Sequence, residues 1–275
     1  MRRLRRIAGH NRGMIAGALM VLAVVACAIL APHIAPYGPV DMRVEQRLQP
    51  PSLEHLCGTD EFGRDVFSRI VWGSRISLTM GLAATVLTVL LGTLAGVLWG
   101  YFPGLGTFIA RVVDLWLAFP TMLFAIVIVA VLGPSLRNAM LAVVLSMVPG
   151  FARVVHSAVL PLREKEFVEA ASAAGAASPR ILGRHVLPNI GSTIIVLATL
   201  HFASAILMGA ALSFLGLGAQ PPQPEWGAMI NAGRQWLGLA WWLYIFPGIA
   251  IVVAVLGINL FGDGLRDLLD PRLKV

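Results

Sequence analysis

Apolar residues run through this chain in long unbroken blocks separated by short charged clusters. No charged residue falls in 13–40, 76–110, 115–136, 185–224 or 235–262, and Arg153 alone interrupts the block from 138 to 162. A helix needs ~20 apolar residues to cross the hydrocarbon of a bilayer. The pattern therefore predicts an all-α integral membrane protein with spanning helices at roughly 13–32, 77–101, 112–132, 138–159, 192–215 and 241–261. It divides the chain into a basic N-terminus with the first span (1–32), a polar loop (33–76), and a core of five spans (77–275) that contains a second polar loop at about 160–190.

The first loop opens on Pro32, Pro36 and Pro39, which predict extended backbone. Asp60 is placed to cap a helix whose Phe62, Val66, Phe67, Ile70 and Val71 share one face, with Arg64, Asp65, Ser68 and Arg69 mostly opposite. Such a helix would lie in the membrane interface or pack on a partner subunit. In the second loop, Pro161-Leu162 marks the start, and Arg163 to Ala174 reads as a helix on which Ala170, Ala171, Ala173 and Ala174 present almost no bulk. Gly175 then permits a turn. Ser178 as N-cap with Pro179 first in the helix starts a second short helix through Arg180 and Arg184 to Leu187, and Pro188 is expected to interrupt it where the fifth span begins.

With 57% apolar and 13% charged residues and a mean hydropathy of +0.80, composition excludes a soluble domain. Lys and Arg in short flanks resist translocation. With the N-terminus inside, fourteen of the 21 basic residues fall on the cytoplasmic side and seven outside, so both termini are expected in the cytoplasm. A pI near 10.4 then reflects topology and contact with anionic lipid rather than nucleic acid. The opening Arg2-Arg3 and Arg5-Arg6 before an apolar run also fits a signal peptide, with Val24-Val25-Ala26-Cys27 as a cleavage box. Cleavage would leave five spans and break the charge asymmetry, so a retained anchor is expected. Cys27 and Cys57 give neither a disulfide framework nor a metal signature.

Energy coupling is read from the scarcity of certain residues. The only lysines, Lys165 and Lys274, lie in no phosphate-binding loop, so no such site for ATP and Mg is expected in this chain. An ion-coupled carrier would need ionisable groups deep in its spans. Only Asp114 approaches one, a turn from Arg111, where a local ion pair or a contact to the coupling region is expected. His156 and His201 lie in or near different spans, where a helix-to-helix hydrogen bond is expected and no metal site. Pro120, Pro149-Gly150 and Gly209 are expected to interrupt helices three, four and five and to bend these helices or pack them closely, and Trp99, Tyr101, Trp236, Trp241, Trp242 and Tyr244 to anchor at the interfaces.

The stretch Glu169-Ala170-Ala171, Gly175, Leu187-Pro188 resembles the EAA loop of binding-protein-dependent ABC importer permeases, with His185 before Leu187-Pro188-Asn189 as in the peptide-type members. Gly58-Thr59-Asp60, Gly63-Arg64-Asp65, Ser68-Arg69 and Arg75-Ile76-Ser77-Leu78 resemble the second permease of dipeptide, oligopeptide and nickel importers. So do Val113-Asp114 with Ala118-Phe119-Pro120, Leu212 to Gly218 with Pro221-Pro222 and Trp226-Gly227, and Gly262 to Arg272. The resemblance implies a type I ABC importer permease fold in the bacterial inner membrane. Its implied partners are a homologous permease, two ATPase subunits that bind ATP and Mg, and an extracytoplasmic binding protein. It implies that Glu169, Ala170, Ala171, Gly175, Ser178, Pro179, Arg184, Leu187 and Pro188 contact an ATPase. The cargo it implies is a short peptide, with nickel chelate, glutathione or another small solute as alternatives and an ion-coupled secondary transporter as the remote one.

Overall fold

The computed structural model describes residues 12–269. Its helices are α1 (Arg12–Ile29), α2 (Val66–Tyr101), α3 (Pro103–Leu117), α4 (Thr121–Leu132), α5 (Leu136–Arg163), α6 (Glu166–Ala173), α7 (Ser178–Phe214), α8 (Trp226–Gly233) and α9 (Trp242–Leu269). The basic residues Arg2 to Arg6 and the closing Asp270-Pro271-Arg272 lie outside the described residues.

Five of these helices, α1, α2, α5, α7 and α9, are long and apolar enough to cross a bilayer. Helices α3 and α4 meet at an 88° bend across Ala118-Phe119-Pro120, where Pro120 (ψ 126°) leaves the helical region. They form the sixth crossing. Helix α5 starts among Met80 and Ala84 of α2 and finishes beside Gly100, so the chain between 101 and 136 must travel the full depth. Met14 packs against Gly264, which places both described ends and the 163–178 segment at one end of the bundle. Residues 30–65 and 215–241 occupy the other.

The α2–α5 contact is the most extensive in the bundle. Gly92, Gly96 and Gly100 recur every four residues on one face of α2, and a Cβ on them would stand 2.8, 2.6 and 2.8 Å from side-chain atoms of Phe151, Val155 and Val159. Small residues at this spacing let two backbones approach in an environment where helix association rests on packing.

Several helix boundaries differ from those the sequence predicts. There is no separate helix capped by Asp60. The 36 residues of α2 run on from Val66, about 54 Å at 1.5 Å per residue, and the cap is Asp65, which accepts the Ser68 N–H at 2.7 Å. Asp60 instead accepts the N–H groups of Phe62 and Arg64 in a tight turn with Gly63 at φ +72°. Ser68 and Arg69, expected on a polar outer face, are 0% and 6% exposed, because the folded loop covers them. Pro149 does not interrupt α5, which continues past Pro161 to Arg163, and Gly209 lies inside unbroken α7 against Met80. Nor does Pro188 end a helix. A π turn at Leu182–Val186, closed by the Leu187 N–H to the Leu182 carbonyl, leads into the next stretch with Pro188 in its first turn, where a missing N–H costs nothing.

Candidate functional site

The second polar loop folds as helix, turn and helix at the end shared by both described termini. Helix α6 is shorter than expected and starts after Lys165. It closes with two bonds, Ala176 N–H to the Ala171 carbonyl at 3.0 Å and Gly175 N–H to the Ser172 carbonyl at 2.9 Å, with Gly175 at φ +79°. This is a Schellman cap, in which only glycine takes the left-handed position without strain. Ser178 is not the N-cap of α7. Ala177 occupies that place, Ser178 and Pro179 fill the first turn, and no side chain caps the helix.

The element has an anchored face and a free one. Val168, Ile181, Val186 and Ile190 are buried with Val155 and Val159 of α5 and Val97 of α2, and Ala171 packs part-buried against them. The rings of Phe167 and His185 lie 6.1 Å apart and join α6 to the π turn. Glu169, Ala170, Gly175, Pro179, Arg184, Leu187 and Pro188 are exposed and Ser178 half-buried. Neither Glu169 nor Arg184 forms an ion pair among the described residues. The structure thus brings the predicted residues together on a platform whose outer surface combines small side chains with the carboxylates of Glu166 and Glu169 and the guanidinium groups of Arg180 and Arg184.

Other sequence-based expectations resolve differently. Asp114 pairs with Arg153 of α5 rather than with Arg111. His156 stacks on Trp99 at 4.1 Å between ring centroids. His201 sits edge-on to Phe151 at 5.0 Å, and its Nδ1 has no hydrogen-bond partner among the described residues. Trp242 is not an interface anchor. It is 4% exposed and donates from Nε1 to the Thr59 carbonyl at 3.0 Å, whereas Trp241 stands half exposed.

The opposite end is more ordered than the sequence indicates. Arg64 Nε lies 2.6 Å from Asp60 Oδ2, and Arg69 Nε lies 3.6 Å from the same oxygen. Arg69 also donates to the Pro39 carbonyl, and His55 Nδ1 lies 2.9 Å from Asp65 Oδ1. All five side chains are buried, so each charge is paired, as a buried charge must be. Burial pushes the nearby Cys57 thiol up to about 11, which leaves it unreactive. Glu225, 1% exposed, caps α8 through the Ala228 N–H and accepts the Ser77 hydroxyl of α2. Burial raises its carboxyl above the ordinary range, opposed by these donors.

Between α2, the start of α5 and the 220–223 segment lies a cavity of about 670 Å³, which the sequence reading did not locate. Arg75, Thr79, Ser135, Arg137, Gln220 and Gln223 supply its polar groups and Met80 and Met140 part of its apolar lining.

Comparison with known proteins adds to this geometry. A family model described as the binding-protein-dependent transport system inner membrane component matches residues 89–275, and one described as the N-terminal TM domain of oligopeptide transport permease C matches residues 1–51. The dipeptide transport system permease protein DppC of Alkalihalophilus pseudofirmus is 48% identical over 96% of this chain and 87% of its own. The di/tripeptide transport system permease protein DppC of Pseudomonas aeruginosa is 45% identical over 96% and 90%. The glutathione transport system permease protein GsiD of Pectobacterium atrosepticum is 43% identical over 94% and 87%. Among solved structures, an inward-facing MetNI methionine ABC transporter superposes with a TM-score of 0.61 at 20% identity, covering 74% of this chain and 97% of that one; this likeness concerns the fold.

Proposed function

Because this chain belongs to the family of binding-protein-dependent transport-system inner-membrane components, we propose that it forms half of a peptide translocation pathway and is driven by ATPase subunits through the α6–α7 platform. It is a permease and not an enzyme. A homologous permease supplies the other half, two ATPase subunits bind ATP and Mg at the platform, and a binding protein delivers cargo at the opposite end. The observation that carries the reading is the platform itself: a Schellman-closed turn fixed through Val168 and Ile181 on the α2–α5 pair, with its small-residue surface facing outward. A push on the exposed Glu169 side meets α5 directly, so ATPase closure moves the pathway helices as a body. Both termini and the platform then face the cytoplasm.

Peptide cargo rests on the relatives, whose printed names are dipeptide, di/tripeptide and glutathione permeases. These cargoes share amide bonds and free carboxylates. The glutathione relative supports a second reading of the cargo by the same machinery. Purification in mild detergent from the native membrane tests the assembly. A second permease and ATPase chains in stoichiometric amounts are expected. Recovery of the chain alone, transporting under a proton gradient without ATP, would replace this reading with that of an ion-coupled carrier.

A further inference from the structure

We propose that the 670 Å³ cavity between α2 and the start of α5 is a cargo station in the outer half of the pathway, where Arg137 takes the carboxylate of the passing peptide. The inference rests on the peptide reading above and adds a site that binds the peptide.

The cavity lies at the end of the bundle opposite the platform, where cargo enters under the proposed topology. Its volume falls in the ~300–1,000 Å³ range of small-molecule sites. Its lining carries two guanidinium groups and no carboxylate, so it favours an anion. The two arginines do different things. Arg75 is pinned, donating to the Ala28 carbonyl and, at 2.9 Å, to the Ile29 carbonyl, with its guanidinium 4.9 Å over the Trp72 ring. It joins α1 to α2 and leaves a fixed positive charge at the rim. Arg137 is exposed, and among the described residues it has neither an ion pair nor a side-chain hydrogen bond. A guanidinium so placed takes a carboxylate in bidentate fashion. Glu225, two positions along the chain from the cavity residue Gln223, is committed to Ser77 and the Ala228 N–H.

The remaining lining suits a cargo of constant backbone and variable side chains. The Gln220 amide donates to the carbonyls of Gly216 and Gly218, both at 3.1 Å, so its carbonyl oxygen stays available to accept from a peptide N–H. Met80 and Met140 offer soft, unbranched surfaces that adapt to different apolar groups. An unpaired guanidinium for the carboxylate, an amide acceptor for the backbone and adaptable thioethers for the side chain together match a short peptide.

The test uses the complete importer reconstituted in vesicles, with uptake of a free-carboxylate dipeptide measured against the concentration of loaded binding protein. Arg137→Gln is expected to lower the maximal rate about ten-fold, the loss of one charge-assisted contact. The half-saturating concentration of binding protein should stay unchanged, and Arg137→Lys should restore only part of the rate, because the charge returns without the bidentate fork. A raised half-saturation at unchanged maximal rate would mean that Arg137 docks the binding protein, and would overturn the proposal. So would wild-type kinetics in the variant. Loss of the same rate by the wild type in vesicles without anionic lipid, with no further loss from Arg137→Gln, would identify a lipid phosphate as the anion and overturn it too. A wild-type importer that moves another solute but no peptide would instead refute the peptide reading on which the inference stands.

Discussion

At Gly175 the backbone holds φ +79°, and a Cβ added there would meet nothing within 4 Å. Gly175→Ala therefore introduces no clash but demands a left-handed alanine, at about 1–2 kcal/mol. Coupled uptake should fall while membrane insertion and assembly persist; wild-type uptake would refute the coupling role of the turn. Glu169→Lys breaks no ion pair among the described residues and should do the same by reversing a charge on the platform surface. Glu225 makes a different prediction. Its folded carboxyl is raised above 4.5 by burial, so the folded chain retains the proton where the unfolded chain has lost it, and stability falls as pH rises above about 4.5. Thermal unfolding of the detergent-solubilised protein between that value and neutrality should show this slope in the wild type, and Glu225→Gln should flatten it. The turn at Gly175 was legible in sequence because its bonds close within a few residues, whereas Glu169 stood out only through the resemblance to the EAA loop. Glu225 was not, since its partner Ser77 lies 148 positions away.

At the scale of elements, apolar run length located every crossing but misplaced the ends. Helix α2 began eleven residues before its predicted start because its first turns shed their polar side chains into the loop, as buried Ser68 and Arg69 show. Loop packing of this kind has no signature in local hydropathy. The interruption at Pro120 was real, and those at Pro149 and Pro188 were not: proline breaks a helix only where neighbouring structure does not absorb the lost bond. The four-residue recurrence of Gly92, Gly96 and Gly100 was in plain sight, and it is the seam of the bundle. Gly96→Ala places a Cβ 2.6 Å from the Ala152 carbonyl and from Val155 Cβ, and should cost about 1–3 kcal/mol as α2 and α5 are forced apart. Gly191→Ala in α7, where a Cβ meets nothing within 4 Å, should instead raise stability by about 0.5–1 kcal/mol. Melting temperatures of the two variants in one detergent decide the point; equal shifts would mean that the seam is not tight.

The whole molecule presents a bundle with the α6–α7 platform at one end and a cap of folded loop at the other. A reporter fused after Val275 should face the cytoplasm together with the platform, and an extracytoplasmic reporter would invert the proposed direction of transport. The cap has a further consequence for how the chain is made. Helix α1 rests on α9 through Gly17, whose backbone approaches Gly257 and Phe261, and Trp242 bonds Thr59 across 183 positions. A ribosome delivers residues in order, and these contacts join the first segments released to the last. The early loop therefore waits, with part of its buried lining missing, until almost the whole chain has left the ribosome. A truncated product ending before α9 would hold four of the five long spans and still lack the wall against which its early loop packs.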